Sequence, residues 1–325
     1  MIITQTPLRI SFVGGGTDLP EFYRKYGGAV ISAAIDKYVF VIIKERFDDL
    51  IYLNWTKKEV VESIDKIEHE LIREALRKTG ILKGVEITTL SDIPAEGSGL
   101  GSSSSILVGL LQALYQYKGE NIDAGRLARE AVDIEVNILM KPIGKQDHYI
   151  AAYGGLKHFS FHQNEIVSVA DPDVDASLID RLSSNLMLFY TGKTRKSSDI
   201  LASQRQKYTD NVAILRRMRD QSYEVLESLE GGDINFLGQA LDEGWQLKKK
   251  LSDNVTNLYI DKMFSLAKKN GASGGKIAGA GGGGFLLLYV PLKNQDKVRA
   301  ALRNYRELRF SLEKDGSKII FNIRR

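Results

Sequence analysis

Apolar and polar side chains alternate over residues 2 to 13, with Leu8, Ile10 and Phe12 on one side and Arg9, Ser11 and Val13 on the other, the two-residue period of a half-buried strand. The tract GGGTD turns the chain. Two β-rich runs follow, Ala29 to Ile35 and Tyr38 to Lys44, and the polar pair Asp36-Lys37 between them predicts a hairpin in a mixed sheet. At residues 66 to 78 the period changes: Ile67, Leu71, Ile72, Ala75 and Leu76 form one stripe of an amphipathic helix, which Gly80 stops. Val85 to Leu90 reads as a strand, PAEGSGLGSSSS as a loop, and Ile106 to Tyr117 as an apolar helix buried on most sides. A second helix is expected from about Asp123 to Met140, carried by Leu127, Ala131, Ile134 and Ile138 and ended by Pro142, with Glu135 at the edge of its buried stripe.

Farther along, Asn185 to Tyr190 reads as a strand, and polar helices fill the stretch between about 199 and 250. A helix around 257 to 269, a glycine tract at 271 to 284, the strand FLLLYV and a helix near 295 to 304 come next. Asp315-Gly316 between β-rich runs predicts a closing hairpin. At 325 residues the chain exceeds one ordinary domain and suits two lobes, 1–180 and 181–325.

Composition narrows the class. Hydrophobic residues make up 43% and charged residues 26%, the balance of a soluble globular protein. The net charge of +4 is spread along the chain without a basic block, so nucleic acid is not an expected partner. The absence of cysteine excludes disulfides, thiolate nucleophiles and Cys-bearing zinc sites. The first residues lack a signal-peptide pattern and no apolar run reaches the roughly 18 residues that span a bilayer, so a cytoplasmic protein without a membrane partner is expected.

The chemistry concentrates in the glycines. In PAEGSGLGSSSSILVGLL, Gly97, Ser98, Gly99, Leu100, Gly101, Ser102, Ser103 and Ser104 lead directly into an apolar helix. Glycines let the backbone come close, and the free N–H groups and positive end of the helix favour phosphate, so this is a candidate anion site. It is not the G-x-x-x-x-G-K-[ST] loop. The stretch Gly279 to Gly284 satisfies G-x-G-x-x-G but precedes a strand, the reverse of the order a dinucleotide fold requires, and NAD binding is rejected.

Three segments in order, PLRISFVGGGTD, PAEGSGLGSSSS and GGKIAGAGGGGF, give the chain a resemblance to the GHMP kinases, named for galactokinase, homoserine kinase, mevalonate kinase and phosphomevalonate kinase. The resemblance implies an α+β, two-domain fold: an N-terminal ATP-binding domain with a left-handed β-α-β crossover and a ferredoxin-like C-terminal domain. It implies ATP wrapped by the middle loop, a substrate at the first motif and closure by the third, with Gly281 and Gly282 at the substrate. An acidic metal ligand about a dozen positions before a catalytic aspartate maps onto Glu135 and Asp147. Asp147 would hold the proton of the attacking hydroxyl, and Arg9 would keep it ionised and offset charge on the transferring group. Glu135 with Ser102 or Ser103, the latter preferred, would hold Mg²⁺. His148 is expected to be a hydrogen-bonded bystander, and Trp55 and Tyr38 either border the adenine or belong to the core.

The combination GGGTDLP, GKQDHYIAAYGG and YTGKTRKSSDIL resembles, within that family, the D-glycero-D-manno-heptose 7-phosphate kinases, which phosphorylate an anomeric hydroxyl for nucleotide-activated heptose and surface polysaccharide. Galactokinases carry an acidic residue and a histidine where this chain has Gly15 and Gly16, which widens the pocket toward a longer sugar. On this reading Gly15, Gly16, Thr17 and Asp18 meet the sugar, and Lys193, Arg195 and Lys196 receive the phosphate of a small sugar-phosphate substrate. A fucokinase-like anomeric kinase and a non-catalytic ligand sensor are the competing readings.

Overall fold

The computed structural model describes residues 1–94, 97–194, 200–203 and 207–323. Arg195 and Lys196 lie outside the described residues. An eight-stranded sheet forms first. It contains β1 (Ile2–Val13), β2 (Gly28–Glu45), β3 (Ile51–Asn54), β4 (Lys58–Val61), β5 (Val85–Ser91), β6 (Leu156–Phe161), β7 (Val167–Ala170) and β12 (Lys318–Asn322), with the path β12-β1-β2-β5-β3-β4 and β6 and β7 continuing from β2. Among the described residues only β3 and β5 pair in parallel, and α2 (Glu70–Thr79) lies between them in the chain. A second, antiparallel sheet has the order β11-β8-β10-β9, from β8 (Leu186–Tyr190), β9 (Gly274–Ile277), β10 (Phe285–Tyr289) and β11 (Glu307–Leu308). Around these lie α1 (Pro20–Tyr26), α3 (Ser102–Lys118), α4 (Ala124–Val132), α5 (Gln146–Tyr153), α6 (Ala176–Ser184), α7 (Val212–Glu230), α8 (Phe236–Lys249), α9 (Leu258–Lys269) and α10 (Gln295–Ala301).

One apolar cluster runs from Leu8, Ile10 and Phe12 of β1 to Leu241 of α8 and Leu287 of β10, so the two sheets share a core. A second cluster gathers Phe189 and Leu286 of the later sheet with Trp245 of α8 and Met263 of α9. Among the described residues no helix is long and apolar enough to cross a membrane.

Several expectations are corrected. Asp36-Lys37 is not a hairpin: β2 is continuous, and the pair sits where the register against β1 shifts between Pro7 and Leu8. The Asp36 carboxylate accepts from Ser311 N at 3.0 Å, and a polar pair that is part of a bulge resembles a turn in sequence. Nor does Asp315-Gly316 close a hairpin. Ser317 N donates to Ala151 O at 2.9 Å, so this turn packs on the end of α5, and β12 pairs with β1 rather than β11. The serines expected in a loop form the first turn of α3. The helix expected to Met140 ends as α at Val132 and continues as a π-helical turn over Asp133–Ile138, which buries Glu135.

Helix α3 reaches β1 because Gly109 has no side chain: Thr4 Oγ1 donates to Gly109 O at 3.0 Å, and a Cβ there would lie 2.5 Å from Thr6 Oγ1. Gly109→Val should therefore lift α3 from the sheet and cost about 1–3 kcal/mol. An unchanged urea midpoint would refute that close crossing.

Candidate active site

The alternation along β1 has two buried faces. Leu8, Ile10 and Phe12 enter the core, whereas Arg9 and Ser11, only 4% and 5% exposed, line a cavity of about 690 Å³. Loop 97–101 lies on the second half of β1, where Arg9 N donates to Leu100 O at 3.0 Å. The glycine tract before β10 lies against that loop, backbone to backbone: a Cβ on Gly99 would collide with the Ala278 carbonyl, and one on Gly279 would stand 2.7 Å from Gly99 Cα. Two glycine tracts far apart in sequence thus form one wall.

Arg9 holds the centre. Its Nε donates to Asp147 Oδ1 at 2.7 Å and its Nη2 to Asp147 Oδ2 at 2.5 Å, a bidentate pair, while Nη1 donates to Gly99 O at 2.6 Å. The Asp147 side chain remains 25% exposed, toward the cavity, and sits in the first turn of α5, where the helix dipole favours a carboxylate. One guanidinium therefore joins the catalytic candidate to the glycine loop.

Glu135 is 1% exposed yet anionic in its contacts. His148 Nε2 donates to Glu135 Oε2 at 2.7 Å, Ser104 Oγ to the same oxygen at 3.2 Å, and Lys141 Nζ to Oε1 at 3.1 Å. Burial alone would raise its pKa, but the His148 hydrogen bond and the Lys141 ammonium outweigh that and hold it at about 2. Lys141 also reaches Glu70 Oε1 at 2.9 Å.

On the other side, Asp18 accepts from Gly16 N and Gln146 N at 3.1 Å and from Gln146 Nε2 at 3.2 Å. A side chain at Gly144 would collide with its carboxylate, so glycine there lets α5 and the first turn meet. Burial foremost, with the neighbouring Asp147 charge, pushes Asp18 up against its backbone hydrogen bonds. Ser11 Oγ is buried at the cavity without a partner among the described residues.

Comparison with known proteins identifies the family. Residues 67–155 match "GHMP kinases N terminal domain" and residues 225–307 match "GHMP kinases C terminal". The chain is 30% identical to the D-glycero-alpha-D-manno-heptose 7-phosphate kinase of Campylobacter jejuni, over 98% of each chain. The chain belongs to the GHMP kinases. It is an ATP-dependent phosphotransferase with an alcohol group as acceptor. A crystal structure of a D-glycero-D-manno-heptose 1-phosphate kinase from Bacteroides thetaiotaomicron superposes with a TM-score of 0.84 at 27% identity, covering 100% of both chains. The bifunctional fucokinase/GDP-fucose pyrophosphorylase of Arabidopsis thaliana is 27% identical over 93% of this chain and 31% of its own length.

Within this GHMP kinase the cavity brings together Arg9, Asp147, Gly15, Gly16, Asp18, Gly97, Ser98, Gly99, Gly101, Ser102, Ser103, Ser104, Glu135 and Gly281. It leaves others out. Thr17 is fully buried and spends its hydroxyl on Gly14 O and Ala29 O at 2.8 and 3.0 Å. Leu100 is a core residue, and Gly282 donates its N–H to Val255 O at 2.7 Å. Lys193 is exposed, its ammonium 5.2 Å from the centre of the Tyr259 ring, and does not line the cavity. Ser104, not Ser103, hydrogen-bonds Glu135, and Ser103 is the serine open to the cavity. Trp55 donates to Glu59 and Tyr38 to Glu313, and neither ring borders the cavity. His148 is hydrogen-bonded, as expected, and its partner is Glu135. Sequence reading missed Ser11, Lys141, Gln146, Lys248 and Lys276, all in the cavity wall. Their only sequence signal was proximity to a motif, which Lys248 lacks.

A folded-state pKa near 2 against an ordinary 4.5 stabilises the fold above pH 4.5, and the contribution disappears as pH falls toward 2. Relative to Glu135→Gln, the wild-type protein should lose about 3 kcal/mol of unfolding free energy over that interval. Parallel urea-stability curves for the two proteins down to pH 2 would show that Glu135 is not held ionised.

Proposed function

We propose that this GHMP kinase transfers the γ-phosphoryl group of ATP to the anomeric hydroxyl of D-glycero-D-manno-heptose 7-phosphate, giving the 1,7-bisphosphate that precedes nucleotide-activated heptose. The observation that carries this reading is the Arg9–Asp147 pair, bidentate and open to the cavity, one hydrogen bond from the glycine loop. The named activity of the Campylobacter relative supports the choice of acceptor.

Each Asp147 oxygen accepts one bond from Arg9 and retains a lone pair for the acceptor O–H. As the hydroxyl oxygen bonds to phosphorus and the bond to the ADP oxygen breaks, the hydroxyl proton passes to Asp147. Arg9 balances the carboxylate beforehand and the charge on the transferring group afterwards. The amides at the start of α3 and in loop 97–101 take the nucleotide phosphates. Ser11 and Asp18 face the sugar, with Gly15 and Gly16 leaving room for it.

Among the described residues there is no cluster of three or more His, Asp or Glu groups able to cage a metal. One ionised carboxylate beside serine hydroxyls nevertheless fits magnesium, which keeps water and substrate phosphates as most of its ligands. Glu135 with Ser103, or with the already bonded Ser104, would hold it. When bound, the ion neutralises developing phosphate charge. Glu135 stays ionised for this purpose, and Lys141 must yield at least part of its contact.

Asp147→Asn should lower kcat about 10²–10⁴-fold while nucleotide affinity, measured by calorimetry, stays near wild type. ATP consumption is assayed with heptose 7-phosphate, heptose 1-phosphate, the unphosphorylated heptose and L-fucose. Preference for L-fucose would favour the fucokinase reading, and undiminished turnover in the variant would remove Asp147 from the chemistry.

A further inference from the structure

Two lysines in the cavity wall have no role in the chemistry above. Lys248 lies in the last turn of α8 and Lys276 within β9, and they are 6% and 5% exposed. Each ammonium meets a main-chain carbonyl: Lys248 Nζ donates to Gly279 O, and Lys276 Nζ to Phe12 O at 2.9 Å. Neither makes an ion pair among the described residues, whereas the other cavity cations do, Arg9 with Asp147 and Lys141 with Glu135 and Glu70. An ammonium carries three protons, so donors remain on both. Buried, unpaired like charges side by side are costly, and a fold that keeps them without an anion loses stability.

We infer that Lys248 and Lys276 bind the phosphate that the acceptor sugar already carries. This rests on the reading that the acceptor is a sugar phosphate. The nucleotide phosphates have their own donors at the start of α3 and, through metal, at Glu135, on the first lobe. The two lysines come from the later lobe. Lys276 touches the carbonyl of Phe12, next to the unpartnered hydroxyl of Ser11 and just before the turn through Gly15 and Gly16, which is the sugar's side. Burial, with the nearby Arg9 charge, pulls Lys248 down to about 8 against the Asp18 and Asp147 carboxylates, and burial, Lys248 and Arg9 pull Lys276 well below the ordinary lysine value. A dianion beside them reverses that penalty. The loop around Lys193, expected to do this work, presents at Lys193 a side chain outside the cavity.

The test compares Lys248→Met and Lys276→Met with the wild type on heptose 7-phosphate and on the same heptose without phosphate. Loss of a charged hydrogen bond should raise KM for the phosphorylated sugar roughly 10–100-fold per lysine. The kcat and KM for the unphosphorylated sugar should change far less, because that sugar carries no phosphate for either ammonium to meet. Lys248→Arg should recover part of the lost affinity. Lys248→Met should melt at or above the wild type, since an unpaired buried charge is replaced by an apolar side chain. Equal losses on both sugars would overturn the inference while leaving the sugar-phosphate reading intact. A wild-type enzyme that does not distinguish the two sugars would overturn that reading, and the inference with it.

Discussion

The site depends on one ion pair. A buried guanidinium and carboxylate lose their hydration, and the loss is recovered only if geometry is good and spare donors are satisfied. Arg9 meets both conditions, with two bonds to Asp147 and a third to the Gly99 carbonyl. Strand β1, the loop before α3 and the first turn of α5 are thereby fixed to a single planar group. Ser105 Oγ, donating to Pro7 O at 2.8 Å, and Arg9 N, donating to Leu100 O, hold the loop and helix to the same strand and so keep the pair in register.

Around that centre, charge is distributed with few losses. Glu135 is buried but has three donors, Asp18 is buried among amides, and Lys141 bridges two carboxylates. Cations and carboxylates are interleaved: Arg9 stands on Asp147 and Lys141 on Glu135 and Glu70, while Lys248 and Lys276 rest on main-chain carbonyls. The glycine tracts between them contribute closeness and main-chain amides, whose partial charges add to those of the side chains.

Much of this was legible in the sequence because its chemistry is local. A serine-glycine run opening into an apolar helix has the features of an anion site, and the polar face of β1 announced Arg9 before any contact was known. What stayed hidden depends on tertiary packing. Lys248 belongs to the run Leu247 to Lys250, which reads as the wet face of a polar helix, and only the docking of α8 on the second sheet buries it. Asp36-Lys37 and Asp315-Gly316 looked like turns because their polarity is that of turns, yet one is a bulge braced by Ser311 and the other packs on α5. The π-helical turn has no residue signature, and without it the helical period left Glu135 at the rim of its stripe instead of inside.

The pairing of β12 with β1 has a consequence for how the molecule is made. The strand carrying Arg9 is bordered on one side by a segment that follows the whole second sheet in the chain. While the polypeptide is being synthesised, that edge stays bare until the later lobe has been built, an invitation to wrong strand partners that folding helpers must guard. The cavity is therefore completed late in biogenesis, and a translation product cut short before β12 would carry the glycine-serine loop without a finished sheet beneath it.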